Sequence, residues 1–213
     1  MEILTILEKL EARCDIKFEV ISGKIVPKEA SEPLPDNVLE LLLTENPDSE
    51  KILNFYKMAK TSYNHKKIIA SLKYIIFAQI GSLHEFYIND LTVSTKIFGA
   101  FLVPDLAFTL QNDEIYDTNG ALQNPISVIE VLSPSTEKKD RNEKKEAYQS
   151  IESLQEYILI AQDSYKIEQY LRQGKTKWTV KIYDNANETC VLTVGVKIKL
   201  NDLYKNTDWA KKD

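Results

Sequence analysis

The sequence predicts a mixed α/β fold: amphipathic helices first, a mixed sheet with one helix between two central strands, then β-hairpins. Three observations carry that prediction. "ISVIEVL" (126–132) and "EYILIAQ" (156–162) are near-continuous apolar runs of buried-strand length. The segment between them, "TEKKDRNEKKEAY" (136–148), is highly charged and reads as a helix joining the two strands. Beyond them, "YKIEQYLRQGKTKWTVKIYD" (165–184) reads as a hairpin around Gln173-Gly174-Lys175. With 213 residues, 43% hydrophobic and 28% charged, the chain suits a single domain with a sizeable core.

The remaining elements follow in order. Residues 2–13 bring Ile3, Ile6, Leu7 and Leu10 onto one helical face. "IKFEVISGKIV" (16–26) sets Phe18 and Val20 against Lys17 and Glu19, with Ser22-Gly23 as a tight turn, so a hairpin is expected. Residues 27–37 hold three prolines and read as loop. The stretch 38–60 is helical but broken at Asn46-Pro47, with Asp48 or Ser49 able to cap a restart. A longer helix over 62–79 carries Ile68, Leu72, Ile75, Ile76 and Gln79 near one stripe. Short strands are expected at 84–88, 92–98 and 101–109, then a connecting loop over 110–124. "ETCVLTV" and "VKIKL" add short strands near the end.

Composition excludes several function classes. A net charge of −5 provides no global positive field for nucleic acid, so any such binding must use a local basic patch. Cys14 and Cys190 lack metal-ligand spacing and read as reduced thiols. With His65 and His84 the only histidines, a Cys/His zinc site is not expected. The acidic start does not match a signal peptide, and "IIASLKYIIFAQIG" is too short and too interrupted by Lys73 to span a bilayer. A cytoplasmic protein without membrane contact is expected.

The chemistry gathers around acids on apolar strands. Asp105 follows Pro104 in "FLVPDLAF", Glu130 sits within "SVIEVLS", and Glu19 within "FEVIS". A buried carboxylate is costly unless paired or bound to metal. Asp140, Lys144 and Tyr148, spaced four apart, stack on one helical face, and Ala147 and Ile151 extend that face toward the sheet. Two carboxylates with a nearby lysine suit a magnesium-dependent phosphodiesterase, because magnesium takes hard oxygen ligands and keeps several waters. The bland alternatives are a turn aspartate at 105, a structural carboxylate at 130 and an exposed hairpin residue at 19. Ser135 or Thr136 is expected to cap the helix.

The motifs "FEVISGKIV", "SYNHKKI", "VPDLAF", "VIEVLSPSTEKKDRNEKKEAY" and "EYILI" occur in the order found in the Uma-two family of restriction-endonuclease-like proteins, within the PD-(D/E)XK nuclease superfamily. The sequence resembles that family over roughly residues 16–204, since "KLNDLY" also fits. The resemblance implies a restriction-endonuclease-like fold with a Mg2+ or Mn2+ site, and DNA as partner; a homodimer is left open. Asp105 is then similar to the first metal carboxylate, Glu130 to the second, and Glu19 to an acid completing the site. The superfamily's usual lysine position is Leu132 here, and the resemblance points instead to Lys144. Asp140, Tyr148 and His65 are supporting residues. Lys138, Lys139, Arg141 and Lys145 read as solvated helix charges or, at most, phosphate contacts. Two departures stand out: Ala161 occupies a place where the family often has aspartate, and 33–60 reads as a helical insertion.

Overall fold

Three sheets organise the described residues. The computed structural model describes residues 3–13, 16–44 and 62–210. The expected helix restart at Asp48 or Ser49 lies outside the described residues, as does Cys14. In order the elements are α1 (Ile3–Arg13), β1 (Phe18–Ile21), β2 (Lys24–Pro27), α2 (Asp36–Leu43), α3 (Tyr63–Phe77), β3 (His84–Ile88), β4 (Val93–Thr95), β5 (Ala100–Leu102), β6 (Leu106–Leu110) and β7 (Ser127–Val131). A helical segment follows in three contiguous pieces: α4 (Glu137–Lys139), a π-helical turn (Asp140–Lys144) and α5 (Lys145–Gln149). Then come β8 (Glu156–Ile160), β9 (Ile167–Arg172), β10 (Trp178–Tyr183), β11 (Thr189–Val191), β12 (Lys197–Lys199) and α6 (Leu200–Tyr204).

The central sheet has the order β10-β9-β8-β7-β6-β3, a second sheet runs β2-β1-β5-β4, and β11 pairs with β12 alone. Within the central sheet only β7 and β8 pair in parallel, so it is mixed, with the charged helix as their crossover. Both strands are buried along their whole length, as their apolar runs require.

The expected strand 101–109 is in fact two strands. Pro104 cannot donate to a ladder, and the chain leaves the four-stranded sheet after Leu102 to enter the six-stranded one at Leu106. The expected strand 92–98 shrinks to Val93–Thr95. At the β1–β2 turn Ser22 and Gly23 both take positive φ, at 52° and 75°, the backbone of a two-residue hairpin turn. Ser62 caps α3 by accepting from the His65 amide at 3.1 Å. Thr136 precedes α4 as expected but makes no side-chain cap bond; the Ser133 carbonyl accepts from the amides of Thr136 and Glu137 instead.

Alternation across the sheet decides what faces what. Leu106, Phe108, Ile129 and Val131 pack on one face under Ile68, Leu72 and Ile76 of α3 and Leu203 and Tyr204 of α6. Ala107 and Val128 face the other side, toward Ala147, Tyr148 and Ile151. By the same period of two, Asp105 and Glu130 emerge on that second side. In β1 the expected polar-out alternation fails because all four residues are buried. Phe18 and Val20 pack with Leu7, Leu10 and Leu42, while Glu19 and Ile21 point inward toward the second sheet face. Helix α1 covers what would otherwise be the solvent face.

Candidate active site

Asp105 and Glu130 meet because of register. β6 and β7 pair antiparallel with Leu106 opposite Ile129 and Ala107 opposite Val128. One step further, Asp105 stands opposite Glu130, with both side chains on the same face. The Asp105 amide donates to Glu130 Oε2 at 3.3 Å, and the Val131 amide donates to Asp105 Oδ2 at 2.8 Å. Both residues are buried, so neither is a plain turn acid.

The helical segment supplies the cations. Lys144 Nζ lies 2.5 Å from Glu130 Oε1, 3.0 Å from Glu19 Oε1 and 3.4 Å from Asp140 Oδ1. The partner of the costly strand carboxylate is therefore Lys144, and the Tyr148 hydroxyl adds a bond to Glu130 Oε1 at 3.2 Å. Lys139 corrects the sequence reading. It is neither solvated nor a phosphate contact: its ammonium is buried, donating to Glu19 Oε2 and the Lys28 carbonyl, each at 2.8 Å. In a regular α-helix residues 139 and 144 would point about 140° apart. The π-helical turn bonds i to i+5 and brings residues five apart nearly into line, so both lysines reach Glu19.

Two further groups close on Asp105. His65 Nε2 is 3.0 Å from Oδ2, and Lys28 Nζ is 2.9 Å from Oδ1. Sequence reasoning missed Lys28, which reads as a loop residue; the only available signal was its place directly after the strand paired with Glu19. Of the other helix cations, Lys138 is exposed and Lys145 lies over the Tyr170 ring at 5.3 Å. Arg141 is spent on Glu168, through two bonds at 2.9 and 2.8 Å, and on Glu137 at 2.7 Å.

Apart from His65, four carboxyls (Glu19, Asp105, Glu130, Asp140) share three ammonium groups (Lys28, Lys139, Lys144). The surplus negative charge shows in the titration. Burial would raise Glu19, yet Lys144 and Lys139 hold it at about 2. Burial likewise opposes ionisation of Asp105, but Lys28 and His65 hold it well below the usual carboxylate range. Glu130 is the outlier: burial, reinforced by Asp105 and Asp140, overcomes Lys144 and raises it to about 8. Burial raises Asp140 as well. Glu130 is thus the carboxyl of the site that burial and its acidic neighbours push furthest toward taking up a proton, against the pull of Lys144.

This donor set suits a hard divalent ion: carboxylate oxygens from Asp105 and Glu130, with Glu19 one ammonium away. Among the described residues no three carboxylate, imidazole or thiol groups already converge as a preformed cage, because lysine ammonium groups stand between them.

A family model described as "Uma2: Putative restriction endonuclease" matches residues 54–201. The chain belongs to the Uma2 family. The Uma2 match includes Asp105, Glu130 and Lys144 but leaves Glu19, Lys28 and the N-terminal hairpin outside, a shorter span than the sequence resemblance implied. Two uncharacterized proteins of Synechocystis sp. PCC 6803 are similar to this Uma2 chain. One, sll1609, is 30% identical over 57% of this chain and 70% of its own length; the other, slr1290, is 26% identical over 70% and 79% respectively. The fold is that of a crystal structure described as a "putative nuclease belonging to DUF820 from Anabaena variabilis ATCC 29413". That match has a TM-score of 0.55 and 17% identity, covering 93% of each chain.

Proposed function

We propose that this Uma2 protein is a metal-dependent nuclease hydrolysing DNA phosphodiester bonds as a single-domain cytoplasmic enzyme. The observation that carries this reading is the cross-strand pair Asp105–Glu130 with the Lys144 ammonium at 2.5 Å from Glu130. Asp105 and Glu130 would hold Mg2+ or Mn2+, with Glu19 completing the set. When bound, the metal would neutralise phosphate charge and acidify a water. Lys144 keeps Glu130 and Glu19 oriented, and its positive charge would favour charge developing on the phosphate. Tyr148 fixes the Glu130 rotamer, His65 fixes Asp105, and Asp140 steadies Lys144. Lys138 and Lys145 are the basic residues of this helix that remain for DNA phosphates.

A second reading is favoured by one observation: Glu19, Asp105 and Glu130 are buried and already hold protein donors. A module that kept the fold and binds nucleic acid or protein without cleavage would look like this. Nicking of supercoiled plasmid with Mg2+ or Mn2+ separates the two. The nuclease reading expects metal-dependent nicking lost in Asp105→Asn and Glu130→Gln, and wild-type protein that binds DNA without nicking overturns it.

A further inference from the structure

The site's carboxylates are shielded from solvent, and a strap beside them supplies one of the cations that hold them. Residues 28–33 run between the end of β2 and Leu34, whose amide is anchored on the Ile25 carbonyl at 2.8 Å. Ser31 Oγ donates to the Ser135 carbonyl, tying the strap to the loop after β7. Lys28 turns inward from the strap's first position, held by Asp105 Oδ1 at 2.9 Å and Asn89 Oδ1 at 2.6 Å. At 8% exposure it is the most exposed of the cluster's ammonium groups, against 3% for Lys139 and 1% for Lys144.

The two Asp105 oxygens differ in what holds them. Oδ2 is bonded to the Val131 amide of a central strand and to His65 of α3, both fixed elements. Oδ1 is held by the Lys28 ammonium at 2.9 Å, at the end of a long side chain whose backbone is pinned by the Lys17 carbonyl and by Lys139. A divalent ion on Asp105 needs an oxygen lone pair, and it cannot share Oδ1 with an ammonium group a few ångströms away without strong repulsion. We propose that Lys28 is a resident cation that stands in the metal's place on Asp105 in the closed site, and that metal entry requires its side chain to swing outward. This gives Lys28, which lies outside the Uma2 match, a gating role. It rests on the metal reading of the same site.

The test needs no catalysis. Mn2+ binding to the full chain is followed by loss of the free-ion EPR signal in wild type, Lys28→Met, Lys28→Arg and Asp105→Asn. Lys28→Met should bind Mn2+ tighter than wild type by roughly tenfold or more, the scale expected on removing a competing adjacent charge. Lys28→Arg, which keeps the charge, should show no such gain, and Asp105→Asn should lose binding. Equal or weaker binding by Lys28→Met, while wild-type binding depends on Asp105, overturns the gating role and leaves the metal reading standing. No Asp105-dependent binding in any variant overturns both. Should Lys28→Met fail to fold, wild type still decides. Saturating Mn2+ should raise modification of Lys28 by an amine-reactive reagent, mapped by mass spectrometry, while Lys144 stays protected. A Lys28 reactivity that Mn2+ leaves unchanged overturns the proposal.

Discussion

Glu130→Gln should change how stability depends on pH, and the sign follows from the site's charge surplus. In the unfolded chain Glu130 titrates near 4.5, and in the folded protein near 8, because burial and the neighbouring Asp105 and Asp140 favour its neutral form. Between those values the folded state binds the extra proton, so stability falls as pH rises. The contribution is fully present below 4.5 and is lost as pH rises through 8, a total of about 5 kcal/mol, of which about 4 kcal/mol falls between pH 5 and 8.5. Urea denaturation of wild type and Glu130→Gln across that window reads the effect, since titrations of groups remote from the site cancel in the difference. Wild type should lose about 4 kcal/mol relative to the variant from the acid to the basic end. Mn2+ should shrink that loss, since a bound cation favours the ionised carboxylate. A difference that stays flat within about 1 kcal/mol, or one that grows in favour of wild type at high pH, refutes the surplus-charge reasoning.

Three other outcomes are expected. Lys144→Met strips the ammonium from three buried carboxyls and should cost about 3–5 kcal/mol at neutral pH in the same denaturation assay, whereas Lys145→Met should change stability by about 0.5 kcal/mol or less; equal effects would remove Lys144 from the centre of the site. Below the unfolded carboxylate range, Glu19 works with the opposite sign to Glu130: it stabilises above 4.5 and loses about 3 kcal/mol as pH falls through about 2, so Glu19→Gln should flatten the acid limb of wild-type unfolding. With Lys139 and Arg141 committed to internal partners, DNA binding has Lys138 and Lys145 to draw on. The slope of log K against log salt should then be about −2, and Lys138→Glu should bring it toward about −1; a much steeper slope would mean another basic surface carries the contact.

The sequence by itself determined the element types and the identity of the main acids. Apolar runs of strand length at 127–131 and 156–160, with a charged helix between them, could form little else, and a carboxylate inside one of them had to be paired. Local helix periodicity was also enough to aim Lys144 and Tyr148 inward. Tertiary structure decided the rest. Whether Glu19 faced solvent depended on α1 covering the other side of its hairpin, a contact that period-two alternation does not encode. The role of Lys139 depended on a π-helical turn, because a helix that gains one residue per turn changes which side chains share a face. Lys28 and His65 came to Asp105 from 77 and 40 residues away. No local pattern records such a meeting, since it is set by how whole sheets and helices pack and by the need of a buried carboxylate for a partner.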